Sequence, residues 1–319
     1  MGVIGIDTSN YTTSIAFFNG VDGENCSKLL PVKQGELGLR QSDAVFSHIK
    51  GLPELSGRLF SHNRGEKITA IGVSTRPRAV EGSYMPCFLV GYSHAKMLSD
   101  LLCVPLVEVS HQQGHVAASL WSAGRMELMD EPHLAWHLSG GTTELLLVEP
   151  EGKNVRCTKI GGTTDISAGQ LIDRTGQLLD LPFPAGKHLD ALSREAVLKD
   201  VFRVKCANME FSLSGVQNKV QQFHEAHPDP AETAAYALRC VAKAVYLATE
   251  QAGKAYPGLP VVFSGGVASN SMLREAVKPL DPIFAQPQFS TDNAMGVAVL
   301  AHRVLEETDC HTSLRTGSQ

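Results

Sequence analysis

At 319 residues the chain exceeds the usual size of one hydrophobic core, so two domains of roughly 130–180 residues are expected. Its 43% hydrophobic and 19% charged residues are ordinary for a soluble globular protein. A net charge of −5 excludes a broad electrostatic grip on nucleic acid and leaves room only for a local basic patch or a basic partner.

The opening run MGVIGIDTS has no basic n-region, and Ile6 stands where a myristoylation signal needs Ser or Thr. No apolar stretch approaches the ~18 residues of a membrane span. The seven cysteines, at 26, 87, 103, 157, 206, 240 and 310, form no CxxC pair, which reads as reduced intracellular thiols. A cytoplasmic protein with no membrane contact is the expectation.

Residues 2–7, GVIGID, predict a buried strand followed by a polar turn and a second strand at 13–18, TSIAFF. The arrangement recurs at 134–138, LAWHL, then SGGTT, then 144–149, ELLLVE, a weak internal repeat that suggests two related halves. Between them lie a strand at 68–75, helical spacing over 84–102 and a strand at 104–109. A boundary falls near 124–133, dividing the chain into 1–128, 129–290 and a C-terminal piece, 291–319, returning toward the first lobe. Further on, Asp229, Pro230 and Glu232 suit the N-cap, first turn and capping-box positions of a helix that Gly253 stops. A strand at 260–267, a short helix at 269–277 and a last helix from about Thr291 to Glu307 complete the pattern, before a polar, frayed tail. Strands alternating with helices indicate an α/β architecture.

Three turns rich in glycine or hydroxyls each follow a strand: 7-DTSNYTTS-14, 139-SGGTT-143 and 264-SGGVASN-270. Glycines admit close backbone approach, and successive N–H groups with hydroxyls cradle phosphate; hairpin chemistry alone explains any single one of them. None fits a P-loop or a dinucleotide fingerprint.

In 110-SHQQGHVAASLW-121, Ser110 and Gln113 form a capping-box pattern, so a helix should open at His111. His111 and His115 then lie one turn apart on one face, which is metal-ligand spacing and equally that of two ordinary polar residues. The zinc-peptidase HExxH needs Glu where Gln112 stands, which disfavours a peptidase. Asp292 offers a third ligand or, alternatively, a plain helix N-cap.

The hairpin turns resemble those of the actin-like ATPase superfamily (sugar kinases, Hsp70, actin), which implies a two-lobed α/β fold with a duplicated mixed-sheet domain. More specifically, HxxGH, SGG-T-EL, D-[RK]-T-x-x-L-L-x-L-x-[FY]-P-x-G, FS-x-SG, GGV-x-x-N and TDN-AM occur in order from Gly5 to about Ala301. That succession resembles the tRNA threonylcarbamoyladenosine transferase family. The resemblance implies an acyltransferase that moves threonylcarbamoyl from its adenylate onto N6 of the adenosine beside the tRNA anticodon, releasing AMP. It implies one divalent metal, iron or zinc, on His111, His115 and Asp292. It further implies an adenylate or other adenine nucleotide held in the cleft between the halves by His137, Leu138, Ser139, Gly140, Gly141, Asp173, Gly186, Asp190 and Asn270. The partners implied are tRNA, a paralogous subunit and an ATPase helper.

The chain departs from the family pattern in several places. Gln113 replaces the carboxylate of HxEGH, Thr142 the histidine of SGGHT, and Gln170 the glutamate of AGEAFD. Tyr11, Thr12 and Thr13 stand where acids follow TSC, 75-TRPRAV replaces T-x-GPG, and the GGVxPExASRxH segment is barely recognisable around 35–58. Two alternatives therefore stay open: a divergent paralogue with another carbamoyl or acyl acceptor, which Arg76 and Arg78 would read through phosphate, and a non-catalytic nucleotide-binding subunit. A small-molecule kinase would need an acidic base where Tyr11 to Thr13 stand.

Overall fold

Strand-forming residues open the chain: β1 (Gly2–Ser9) and β2 (Thr12–Phe18) are buried along their whole lengths. They form an antiparallel hairpin, and β3 (Gly23–Leu29) pairs antiparallel with β2. After α1 (Gln41–His62), β4 (Ile68–Arg76) runs parallel to β1. Next comes α2 (Phe88–Leu102), and then β5 (Leu106–Ser110) runs parallel to β4 and leads directly into α3 (His111–Ala123). The sheet order is β3-β2-β1-β4-β5. The structure is a computed structural model that describes residues 1–9, 11–31, 39–199 and 203–316, with side chains through 306; residues 35–38 of the barely recognisable segment lie outside them.

The second sheet starts at β6 (His133–Leu138), β7 (Thr143–Glu151) and β8 (Asn154–Thr163). Then follow α4 (Ala168–Leu178), α5 (Gly186–Leu192), β9 (Cys206–Ala207), β10 (Glu210–Phe211), α6 (Ser214–Ala226) and α7 (Pro230–Ala255). The set closes with β11 (Val261–Ser264), α8 (Ser271–Val277) and β12 (Ile283–Phe284). The order is β12-β11-β6-β7-β8-β10-β9, with β6 antiparallel to β7 and parallel to β11, and β11 parallel to β12. Within it, β8-β7-β6-β11-β12 repeats the order β3-β2-β1-β4-β5, so the strand–turn–strand repeat seen in the sequence is a duplication of the whole sheet core. An alanine-rich α7 packs among Leu134, Trp136, Leu189, Val220 and Phe263, all buried.

The chain returns as α9 (Met295–Thr316), which lies against β1, β2, β4 and α3. Close approach is possible because small residues line the contact. A side chain on Gly5 would meet the backbone of Ala294 and Ala298, and one on Gly296 the backbone of Gly114 and Ala118. Two compact units result: Met1–Glu131 with Glu149–Cys157 and Asp292–Gln319, and Pro132–Val148 with Thr158–Thr291. The tip of the β7–β8 hairpin counts with the first unit, unlike in a contiguous division at 128 and 290: Gln113 Nε2 donates to the Val155 carbonyl at 2.8 Å and Arg303 Nε to that of Lys153 at 3.3 Å.

Several boundaries differ from the sequence reading. Residues 84–87 precede α2, and α7 continues past Gly253 to Ala255. Asp229 caps α7 by accepting from the amides of Ala231 and Glu232, but Glu232 makes no capping box; its carboxylate instead accepts from the amides of Val197 and Leu198. The last helix begins three residues beyond Asp292 and, in place of a frayed tail, runs to Thr316. No described helix is long and apolar enough to cross a membrane, and Cys26, Cys87, Cys103, Cys157 and Cys206 are free thiols.

Candidate metal centre and nucleotide turns

Helix α3 opens as its capping box dictates. Ser110 Oγ accepts from the Gln113 amide at 3.2 Å, while Gln113 Oε1 accepts from the Ser110 amide at 2.9 Å. His111 and His115 consequently share one face of the first turns, their Nε2 atoms 2.9 Å apart. Because α9 starts only at Met295, Asp292 is not its N-cap, and its carboxylate is left to turn toward the rings. Asp292 Oδ1 is 3.1 Å from His115 Nε2 and 3.5 Å from His111 Nε2. One ligand atom from each of the three residues lies within 4.8 Å of the others, an arrangement that can hold a metal ion.

Asp7, the acid that ends the apolar run of β1, completes the arrangement. It is fully buried and accepts from His111 Nδ1 at 3.1 Å, from Ser9 Oγ at 2.8 Å and from Ser74 Oγ. A carboxylate on Nδ1 fixes the ring and leaves Nε2 as the ligand atom, the usual support of a metal-binding histidine. Thr12 Oγ1 donates to Asp292 Oδ2 at 3.4 Å. Sequence reasoning missed Asp7, Ser74 and Thr12 as neighbours of the candidate ligands; the one signal is an ionisable residue ending the apolar run of β1.

Burial opposes charge on His111, but Asp7 and Asp292 outweigh it and push the ring up to about 10. Burial likewise pushes Asp7 and Asp292 up, yet the histidines facing them hold Asp7 below, and Asp292 well below, the ordinary carboxylate range. A cation bound here would take the place of the proton that the two carboxylates hold on His111.

The nine residues tied to an adenylate by resemblance all fall in the second unit, and local contacts fix several of them. Ser139 Oγ accepts from the Thr142 amide at 3.1 Å, closing the turn after β6. Ser167 Oγ, the cap of α4, donates to the Gly140 carbonyl at 2.6 Å. Gly265 adopts φ +92° directly against the backbone of Leu138, where no side chain would fit. Parallel pairing sets Ser264 beside His137. Asp190 Oδ1 accepts from Asn270 Nδ2 and from the amide and hydroxyl of Ser271, each at 2.8 Å.

Gly140 and Gly141 have no atom within 4 Å of where a side chain would begin, and Gly186 only the Ile172 methyl at 3.9 Å. Leu138 is different: its side chain is fully buried in the core, so only its backbone faces the turn. Asp173 Oδ1 accepts from the Ala185 amide at 2.9 Å, and burial pushes its carboxyl up against that bond.

The family of tRNA N6-adenosine threonylcarbamoyltransferases matches residues 42–299. A transferase of that name from Carboxydothermus hydrogenoformans is 32% identical over 95% of this chain and 92% of its own. This chain belongs to the tRNA N6-adenosine threonylcarbamoyltransferase family. Among solved structures, full-length HypF matches with a TM-score of 0.61 at 15% identity, over 96% of this chain and 46% of HypF. The ROK hexokinase of Thermus thermophilus gives 0.54 at 16% identity, over 96% of this chain and all (100%) of the hexokinase. At such identities the likeness concerns fold, and the fold is the actin-like ATPase type with its duplicated mixed sheet. Within this transferase family, the departures at 113 and 170 keep their structural work. Gln170 Oε1 still accepts from the Ser167 amide at 3.2 Å, and Gln113 gains a donor that reaches Val155.

Proposed function

We propose that the chain is a metal-assisted acyltransferase that moves threonylcarbamoyl from threonylcarbamoyl-AMP to N6 of the adenosine beside the tRNA anticodon. The convergence of His111, His115 and Asp292, with Asp7 behind His111, carries this reading in a chain of this family. One divalent ion, iron or zinc, would sit on the two Nε2 atoms and the Asp292 carboxylate; when bound it supplies Lewis-acid stabilisation of the charge that develops as AMP departs. The chain's own residues do the holding. Backbone groups from His137 to Gly141 and at Gly186 receive the adenylate, while Asp173, Asp190 and Asn270 hydrogen-bond its hydroxyls. Asp190 is prearranged by three donors on Oδ1, while its Oδ2 accepts from Arg194 at 3.1 Å.

A paralogous subunit and an ATPase helper complete the proposal, in the cytoplasm with the tRNA. Supporting a protein partner, Phe46 and Ile49 on α1 and Leu89, Met97 and Leu101 on α2 are exposed apolar side chains on two helices that pack together. The decisive experiment measures bound metal in the purified protein and in His111→Ala and Asp292→Ala variants. It then supplies threonylcarbamoyl-AMP and unmodified tRNA, with and without partners. About one ion per chain, lost in both variants, and modified adenosine after digestion are expected. Unchanged metal content in both variants refutes the site, and AMP release without modified tRNA points to another acceptor.

A further inference from the structure

The loop between β4 and α2 is braced at both ends. Arg76 pairs with Ser110, the cap of α3, and the Pro77 carbonyl accepts from the Gln112 amide at 3.0 Å, so the loop starts against the turn bearing His111. Its far end is tied to α1, where Gln41 Oε1 accepts from the Cys87 amide at 3.2 Å, next to exposed Arg40. In between, the Arg78 amide donates to Ser83 Oγ at 3.0 Å. This scaffold presents exposed Arg76 and Arg78 and an aromatic ring, Tyr84, that is 61% exposed. In an acidic chain, guanidinium groups with an exposed ring near the turn bearing His111 suit phosphodiesters alternating with unpaired bases.

We propose that this loop grips the acceptor RNA, Arg76 and Arg78 on backbone phosphates and Tyr84 stacked on an unpaired base, beside the residues proposed to hold the metal. The proposal rests on the transferase reading above. Glu81, exposed in the same loop, opposes that grip and provides a test of the opposite sign.

The experiment titrates the full-length, metal-loaded chain into a fluorescent, unmodified tRNA transcript over a series of salt concentrations, with the metal content of each variant checked. The Arg76→Ala/Arg78→Ala pair should weaken binding by about tenfold or more and flatten the log affinity–log salt slope by about two. Tyr84→Ala should weaken it by about fivefold or more while Tyr84→Phe keeps wild-type affinity, since stacking needs only the ring. Glu81→Lys should tighten binding, a gain that misfolding cannot produce. Wild-type affinity in either the arginine pair or Tyr84→Ala overturns the proposal and leaves the transferase reading standing. A wild-type chain that neither binds nor modifies tRNA with its partners present overturns both.

Discussion

Asp7 Oδ1 lies 3.1 Å from Nδ1 of His111, although the two residues are 104 positions apart. The contact turns a one-helix pair of imidazoles into an oriented ligand set, because the Nδ1 proton is committed to the carboxylate and Nε2 faces Asp292. Asp7→Asn keeps a hydrogen-bond acceptor but removes the charge. Metal affinity, measured by competition with a chelating dye, should fall about 10- to 100-fold while thermal stability holds. Wild-type affinity in that variant would remove Asp7 from the site.

Gln113 uses both ends of its amide: Oε1 accepts from Ser110, and Nε2 donates to the Val155 carbonyl at 2.8 Å, at a position 5% exposed. Gln113→Glu, which restores the residue usual in the family pattern, would set a carboxylate oxygen against that carbonyl. A loss of about 1–3 kcal/mol in urea unfolding is expected, from an unsatisfied buried acceptor. An unchanged midpoint would show that the amide does not hold the β7–β8 tip.

Asn270 has two duties, capping α8 through Oδ1 on the Leu273 amide at 3.0 Å and holding Asp190 through Nδ2. Asn270→Ser keeps an N-cap oxygen and loses the amide Nδ2 that donates to Asp190. Adenine-nucleotide affinity should drop several-fold with the melting temperature nearly unchanged, whereas Asn270→Ala should cost about 1 kcal/mol of stability as well. Equal nucleotide binding in both variants and wild type would place the nucleotide elsewhere.

Asp165 sets a pH dependence remote from His111, His115 and Asp292. Burial pushes its carboxyl up, but Ser212, Ser214 and the amides of Leu213 and Ser214 outweigh that and bring it down to about 2 from an ordinary 3.8. A depressed folded value stabilises the protein above pH 3.8, and that contribution disappears as the pH falls toward 2. Acid titrations of stability should therefore show a shallower decline over this window in Asp165→Asn, which binds no proton there. Identical acid limbs would deny the carboxylate its role in joining β10 and α6 to the start of α4.

Residues close together along the chain make part of this molecule legible from its sequence. Ser110 and Gln113 announce the start of α3, the i,i+4 spacing puts two imidazoles on one face, and the two strand–turn–strand stretches announce a repeat, because caps, helical faces and hairpins are set by neighbours within a few residues. The strands β3, β9, β10 and β12 carry no such signal, being two-residue pairings or an edge strand with half-exposed residues and no alternating pattern.

What only tertiary structure decided is how Asp292, which the family resemblance sets with His111 and His115, reaches their rings. A lone aspartate before a helix reads as an N-cap; here the helix begins later, and small residues at 5, 114 and 296 let it settle against β1 and α3, which carries the carboxylate 177 positions along the chain to His115. Buried Asp7 reaches His111 by the same route, through packing of β1, β4 and α3. Such contacts follow from how whole elements fit together, and no local pattern of residues encodes them.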